Sequence, residues 1–180
     1  VTDFEGEHYT IRGMERTVDL GGLPPPGLLL GGGGRRMLGL AGRHADIVGI
    51  NPTMREGRVT PDAARDLLPE RLAEKLSWVR AGVEASGRTM QDVELNSLVF
   101  VVALTDDPKP VREGLARAFG MTSEEVAESP LALTGSAVEI RDRLEARREA
   151  TGISYVVVQG GDDALLERFA EDVVAPLAGR

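Results

Sequence analysis

The chain alternates short apolar runs with segments of helical periodicity. The first run, residues 27–30, is continuous rather than alternating and is followed at once by four glycines, which predicts a strand buried on both faces. Later runs of β-branched and apolar residues are bounded by polar, Gly or Pro residues, which is typical of strands. The four predicted strands are residues 27–30, 46–50, 93–104 and 155–158.

The segments between these runs predict helices. A short helix over residues 35–45 has an apolar face that Gly39 and Gly42 weaken. Thr60 and Pro61 have the residue types of a helix start, and Pro69 is expected to break or kink the helix that follows as far as about residue 87. The buried face of that helix is predicted from four apolar positions: Leu72, Leu76, Val79 and Val83.

Three further helical regions follow the third strand. Thr122 with Glu125, and Ser136 with Glu139, have capping-box spacing and predict two of the helix starts. The predicted regions are residues 110–119 with 123–128, 136–152 and 163–177. Strands that alternate with helices predict right-handed βαβ units, so we expect one α/β domain over residues 1–180 with a parallel sheet, covered on both faces or closed into a barrel.

Composition narrows the class of protein. The chain has 21 Lys and Arg against 29 Asp and Glu, a net charge of −8, which argues against a nucleic-acid partner. It has no cysteine, so disulfides, thiolate catalysis and Cys-ligated metals are excluded. We find no apolar run long enough for a membrane helix and no signal peptide, and we expect no membrane partner and a cytoplasmic protein.

The strongest chemical feature is the run Gly31, Gly32, Gly33 and Gly34, here called the glycine segment. It follows the first predicted strand and precedes a helix that starts with two arginines. Glycines let an anion approach the backbone, the helix N-terminus offers free N–H groups, and Arg36 adds charge. Phosphate binding is one interpretation, and a turn that needs glycine only for its geometry is the other.

A dinucleotide-binding fingerprint does not fit this segment. The pattern G-x-G-x-x-G needs a small third residue, but that position holds Arg36 or Met37, depending on the glycine from which it is counted. The acidic residue that should end the next strand is also displaced, because Asp46 begins that strand. A Rossmann dehydrogenase is therefore not supported.

Other candidate residues favour structural roles. No nucleophile motif accompanies His8 or His44, and the surroundings of His8 do not form a metal signature, so we expect no metal site. The pairs at 106–107 and 162–163 follow strands, where α/β proteins place their sites, but carboxylates also cap helices, which we favour. Trp78 is expected to pack in the core rather than stack on a ligand.

The order of these motifs resembles a known family. The string PPPGLLLGGGGRRMLGLAGRHADIVGINP, preceded by FEGEHYTI and followed by LTGSAVEIRDRL and GISYVVVQGGD, is similar to the C-terminal half of luciferase-like monooxygenases. It most resembles the branch of deazaflavin-dependent oxidoreductases found mainly in actinobacteria. The resemblance implies strands five to eight of a (β/α)8 TIM barrel that binds FMN or the deazaflavin coenzyme (F-420), with Gly31, Gly32, Gly33, Gly34 and Arg36 as cofactor contacts.

The resemblance also implies a function and a limit. A flavin- or deazaflavin-dependent oxidoreductase or monooxygenase would transfer hydride to or from a small organic substrate. A complete barrel needs roughly 250 residues, so the chain matches only half of one, and no catalytic residue can be named. Open strand edges predict a homo-oligomer or a complementing half-barrel chain as partner.

Two other functions are compatible with the sequence. A non-catalytic half-barrel could act as a dimerisation or binding module without a cofactor. A third hypothesis is a different phosphate-binding barrel enzyme, such as a sugar-phosphate isomerase or aldolase. Such an enzyme would be favoured by a lysine at a strand end, but Lys75 lies within a predicted helix and Lys109 lies in the loop before one.

Overall fold

A computed structural model describes residues 2–15, 21–54 and 60–178. The chain begins with an antiparallel hairpin of strands β1 (Thr2–Glu5) and β2 (Thr10–Met14), whose residues are all exposed. The sequence analysis did not predict this hairpin, because its strands are short and carry no apolar run of the kind that marks a buried strand. It therefore adds nothing to the core.

The parallel part of the fold begins at residue 29. The first half of it contains, in chain order, β3 (Leu29–Gly32), α1 (Arg35–His44), β4 (Ile47–Ile50), α2 (Pro61–Arg65), α3 (Pro69–Ala85) and β5 (Glu94–Val99). The second half contains β6 (Val101–Leu104), α4 (Lys109–Phe119), α5 (Ser123–Glu128), β7 (Ala132–Gly135), α6 (Ala137–Thr151), β8 (Ile153–Val158), α7 (Asp163–Phe169) and α8 (Ala175–Leu177), with a π-helical turn at Ala170–Val174. This α/β alternation confirms the predicted fold class.

The strands form a four-stranded parallel sheet in the order β3-β4-β5-β8 and a separate parallel pair, β6-β7. The expectation of one strand over residues 93–104 is wrong, because the chain changes partners at Phe100. The N–H of Phe100 donates to the carbonyl of Leu131, after which β6 pairs with β7 rather than with the larger sheet. The count of four core strands is also wrong, since the short strand β7 was missed.

Two apolar clusters join the helices to these strands. The larger cluster packs α1 and α3 against one face of β4 and includes Leu38, Val48, Ile50, Val79 and Val83, all at most 1% exposed. The smaller cluster lies among β5, β7, α6 and the C-terminal helical segment. Its buried members are Val99, Leu133, Ile140, Phe169 and Val173.

Strand β3 is not buried on both faces as the apolar run predicted. It pairs only with β4 among the described strands, so it forms an edge of the sheet. Leu30 packs against the larger cluster, whereas Leu29 is 46% exposed. Since successive side chains of a strand point to opposite faces, Leu29 and Gly31 face the side of the sheet opposite α1 and α3.

The predicted helix starts are confirmed. The side chain of Thr60 accepts a hydrogen bond from the N–H of Ala63, and both predicted capping boxes form. The break expected near Pro69 is present, since α2 ends at Arg65 and Pro69 opens α3. A search of the described helices finds none that is long and apolar enough to span a membrane.

Candidate functional site

The glycine segment joins β3 to α1, as the sequence predicted. Gly31 and Gly32 end the strand, and Gly34 is the N-cap of the helix. None of the four has a positive φ, so unusual backbone angles do not explain them. At two of these positions close packing requires glycine. A Cβ on Gly32 would lie 2.4 Å from Cγ of Met37, and one on Gly33 would lie 2.5 Å from the carbonyl oxygen of Pro52.

Gly34 differs from its neighbours because it borders open space. A Cβ at this position would meet nothing within 4 Å. No side chain caps α1, and its first turn contains no acidic residue. The N–H groups of that first turn have no intrahelical acceptor, so they can bind an oxyanion placed beside Gly34.

Two of the three arginines of α1 lie at this helix start. Arg35 and Arg36 are both exposed, and both line a groove between α1 and α3 that also includes Trp78. Arg36 therefore lies in the first turn of the helix, and its role as a cofactor contact stays a prediction.

The buried ammonium group of Lys75 donates a hydrogen bond to the backbone of the glycine segment. Lys75 of α3 has no exposed side-chain surface, and its Nζ donates to the carbonyl oxygen of Gly33. The same Nζ lies 2.7 Å from Oδ2 of Asp66 and 3.3 Å from Oγ1 of Thr53. One cation thus joins the loop after β3 to the loop after β4 and to α3.

Thr53 and Asp66 complete this arrangement. Oγ1 of Thr53 donates to the carbonyl oxygen of Gly33 at 3.0 Å, and its N–H donates to Oδ2 of Asp66 at 2.8 Å. The other oxygen of Asp66 accepts from Nη2 of Arg71 at 2.9 Å. We call Gly33, Thr53, Asp66, Lys75 and Arg71 the Lys75 network.

The Lys75 network also fixes the charge of Asp66. Burial alone would raise the pKa of this carboxyl group. Hydrogen bonds from Lys75, Thr53 and Arg71 favour the ionised form more strongly, and the pKa falls to about 2. Asp66 is therefore a carboxylate at neutral pH, with its Oδ2 2.7 Å from Nζ of Lys75.

Sequence reasoning missed Lys75, although a signal was present. Lys75 falls between Leu72 and Val79 on the face of α3 predicted to be buried. A charged residue on such a face needs a buried partner, because desolvating an unpaired ammonium group costs on the order of several kcal/mol. The sequence could not show that its partner would be the loop beside Gly33.

On the face of the sheet opposite α1 and α3, glycines and amide side chains lie side by side. Gly31, Gly49, Asn96 and Tyr155 occupy neighbouring positions across β3, β4, β5 and β8. Nδ2 of Asn96 donates to the carbonyl of Tyr155, and Nδ2 of Asn51 would lie 3.0 Å from a Cβ on Gly31. A Cβ on Gly49 would likewise lie 3.4 Å from Oδ1 of Asn96, so these glycines allow the strands and the two amide side chains to pack closely.

The remaining sequence candidates have structural positions. His44 is exposed in the last turn of α1, and His8 is exposed in the hairpin turn. Oδ1 of Asp162 caps α7 by accepting from the N–H of Leu165, which confirms the capping interpretation for that pair. At 106–107 it is wrong in detail, because the N-cap of α4 is Pro108 without a side-chain cap, although Oδ1 of Asp107 accepts from the N–H of Lys109 at 3.3 Å. Trp78 packs against the larger apolar cluster, as expected. Within the described ranges, no group of three or more His, Cys, Asp or Glu residues could hold a metal ion.

Comparison with known proteins places this site in a family. Residues 1–155 match the family described as luciferase-like monooxygenase. The chain belongs to the luciferase-like monooxygenase family. That finding confirms the resemblance seen in the motifs around the glycine segment. No curated protein matches the chain.

Solved structures share the fold of this luciferase-like chain. A coenzyme F-420-dependent tetrahydromethanopterin reductase from Methanopyrus kandleri matches with 18% identity and a TM-score of 0.52, over 82% of this chain and 50% of that one. An F-420-dependent secondary alcohol dehydrogenase in complex with an F-420–acetone adduct matches with 15% identity and a TM-score of 0.66, over 97% and 55%. The monooxygenase RslO1 from Streptomyces bottropensis matches with 19% identity and a TM-score of 0.62, over 98% and 56%.

The chain spans about half the length of these structures. At such low identities the likeness concerns the fold alone. The matches extend over 82–98% of this chain, so the described sheet and helices share the fold of part of these structures.

Proposed function

We propose that this luciferase-like chain anchors the phosphate of FMN or of the deazaflavin coenzyme (F-420) at Gly31–Gly34 and so serves a flavin- or deazaflavin-dependent oxidoreductase or monooxygenase. One observation carries the proposal: the uncapped start of α1 borders open space at Gly34, while Lys75 holds Gly33 rigidly behind it. Backbone N–H groups would bind the phosphate, and Arg36 would add charge at the rim.

The chain's own residues have binding and positioning roles in this proposal. When bound, the cofactor supplies the hydride or oxygen chemistry applied to a small organic substrate. Gly34 allows close approach, and the Lys75 network keeps the carbonyl of Gly33 turned away from the phosphate. We assign no catalytic acid or base.

The solved structures support the choice of cofactor class. Two of those named above are F-420-dependent by their own names, and a further structure of the same fold, a riboflavin lyase, contains a modified FMN. Since this chain covers about half of such structures, its activity would need the remaining part of the fold. That part would come from a complementing half-barrel or from a second copy of the chain.

A non-catalytic binding or dimerisation module is the second candidate. The observation that favours it is the open sheet: β3 and β8 each have one neighbour among the described strands. An unpaired parallel edge offers backbone groups to another chain. This function would require no cofactor, so cofactor binding separates the two.

The experiment is a fluorescence titration of the chain with F-420 and, separately, with FMN, using the variant Gly34→Asp. A Cβ at Gly34 meets no protein atom, and aspartate is a favourable N-cap, so this variant should fold at least as well as the parent. Its carboxylate would occupy and repel the phosphate position. We expect saturable micromolar binding of one cofactor, and at least a tenfold loss in the variant.

Gly114→Asp is the matched control, because a Cβ on Gly114 of α4 also meets nothing within 4 Å and the change adds the same charge away from the site. Gly33→Asp tests the same segment but would clash with the backbone at Pro52. Binding that survives in Gly34→Asp, or falls equally in Gly114→Asp, would refute the proposed phosphate site. Absence of binding to either cofactor in the parent chain would favour the non-catalytic module.

A further inference from the structure

A cluster of arginines lies on the outer side of β7, away from the glycine segment. Arg112 belongs to the first turns of α4, and Arg143 and Arg147 are one turn apart on α6. All three are partly exposed. We call these residues the arginine cluster.

Two members of the arginine cluster converge on one carbonyl group. Nη2 of Arg112 donates to the carbonyl oxygen of Thr134 at 2.7 Å, and its Nε donates to Oγ1 of the same residue at 2.9 Å. Nη1 of Arg143 lies 3.3 Å from the same carbonyl oxygen. The two guanidinium groups are therefore neighbours, held together by a neutral acceptor.

Arg147 is the least satisfied member. Its Nη2 has one long contact, 3.5 Å, to the carbonyl oxygen of Ser129. Its Nη1 is buried and has no hydrogen-bond partner. Because a guanidinium group carries five N–H donors, most of the donor capacity of Arg147 is unused. A buried donor without a partner is unfavourable, so this group is expected to have an acceptor when the protein functions.

The positive charge of the arginine cluster is only partly neutralised, by Glu139. Within residues 2–15, 21–54 and 60–178, no carboxylate oxygen lies within salt-bridge distance of these three side chains. Glu139 is the acidic residue that interacts electrostatically with Arg112 and Arg143, but its Oε2 already accepts from the N–H and Oγ of Ser136. Burial, with repulsion from Arg143, lowers the pKa of Arg147 to about 10.

We propose that Arg112, Arg143 and Arg147 bind a multiply charged oxyanion of the phosphate class, at a site separate from the glycine segment. Planar guanidinium groups match the oxygens of such an anion with two parallel hydrogen bonds each, and they do so best when partly desolvated. The anion would accept hydrogen bonds from the accessible N–H groups of these side chains and would neutralise the repulsion between Arg143 and Arg147 along α6. This inference does not depend on the proposed cofactor site.

The test is isothermal titration of the full chain with inorganic phosphate at constant ionic strength, with sodium chloride as the reference salt. We compare the parent with the double variant Arg143→Gln/Arg147→Gln, which keeps polar, unbranched stems but removes both charges. Arg141→Gln is the matched control, since Arg141 lies on the same helix and its Nη1 donates to the carbonyl of Asp172 instead. Gly34→Asp removes the contribution of phosphate at the glycine segment.

We expect saturable phosphate binding in the parent, at least a tenfold weaker affinity in the double variant, and parent-like affinity in Arg141→Gln and Gly34→Asp. Phosphate should also raise the Tm of the parent but not of the double variant, while circular dichroism shows that both are folded. Equal affinity in the parent and the double variant, loss only in Gly34→Asp, or no binding to the parent would each overturn the proposal. If the double variant fails to fold, Arg143→Gln alone is compared in the same way.

Discussion

At the scale of single residues, Lys75 shows how one buried charge organises a loop. Its Nζ reaches Gly33, Thr53 and Asp66, and also lies 5.8 Å from the centroid of the Trp78 ring. We expect Lys75→Met to lower the free energy of unfolding by about 3–5 kcal/mol, because it leaves the carboxylate of Asp66 without its buried partner. Urea denaturation of the parent and variant measures this difference.

The double variant Lys75→Met/Asp66→Asn is the control for that experiment. It removes both charges, so it should recover part of the stability that the single variant loses. A single variant within about 1 kcal/mol of the parent, the range of exposed ion pairs, would contradict the assignment of a buried, structure-determining pair.

The depressed pKa of Asp66 predicts a pH dependence of stability. The folded-state pKa is about 2, below the ordinary value of 3.8, so the stabilisation is fully present above the unfolded-state pKa and is lost as the pH falls through the two values. We expect the stability difference between the parent and Asp66→Asn to shrink as the pH falls from about 5 to about 2. Chemical denaturation at several pH values measures it, and a difference that stays constant over this range would disprove the assignment.

The candidate site was predictable at this scale only in part. The sequence identified the glycine segment, because four consecutive glycines before a helix are conspicuous. It did not separate their roles, which depend on neighbours distant in sequence: Gly33 packs against Pro52, whereas Gly34 faces open space. The partnership of Lys75 with Gly33 spans 42 residues and needs the tertiary structure.

At the scale of elements, glycines set the distance between α1 and α3. A Cβ on Gly82 of α3 would lie 2.2 Å from the carbonyl oxygen of Gly39, and one on Gly42 of α1 would lie 2.3 Å from that of Val79. The sequence analysis treated Gly39 and Gly42 as residues that weaken a helix. The structure shows that Gly42 also allows the two helix backbones to approach closely.

This packing predicts opposite effects for two similar substitutions. Gly82→Ala should destabilise the protein by roughly 1–3 kcal/mol, because the added methyl group meets a backbone atom that cannot move alone. Gly39→Ala should stabilise it by up to about 1 kcal/mol, since its Cβ would lie 3.9 Å from the nearest atom and alanine favours helix. Thermal and urea unfolding of both variants measure these changes. A stabilising Gly82→Ala would contradict the close approach.

Most helices were predictable from the sequence because their signals are local. Capping residues and apolar periodicity lie within a few positions of each other, as at Thr122 and Ser136. Strands were less predictable, because pairing is not local. The change of partner at Phe100 and the short strand β7 depend on the contact with Leu131, which no pattern in either segment indicates.

At the scale of the whole molecule, the described sheet is incomplete on two sides. Strands β3 and β8 each have one neighbour in the described part of the chain, so both outer edges of the four-stranded sheet are unpaired there. Several large apolar side chains remain exposed, among them Leu28, Leu29 and Tyr155. These features fit a chain that covers half the length of related folds, and they favour association with another chain.

Self-association of the isolated chain is therefore expected, and it should depend on the edge strand β3. Leu29→Lys places a charge on that strand. A lysine on an edge strand discourages pairing with another chain, so this variant should shift the protein toward the monomer. Leu40→Lys is the matched control, because Leu40 of α1 is 44% exposed, close to the 46% of Leu29, but lies on a helix. Sedimentation velocity over a range of concentrations measures the assembly. A parent chain that stays monomeric at high concentration would show that the open edge does not drive association. Two variants that dissociate equally would show the same, because the charge on an exposed helix position would then act as strongly as the charge on the strand.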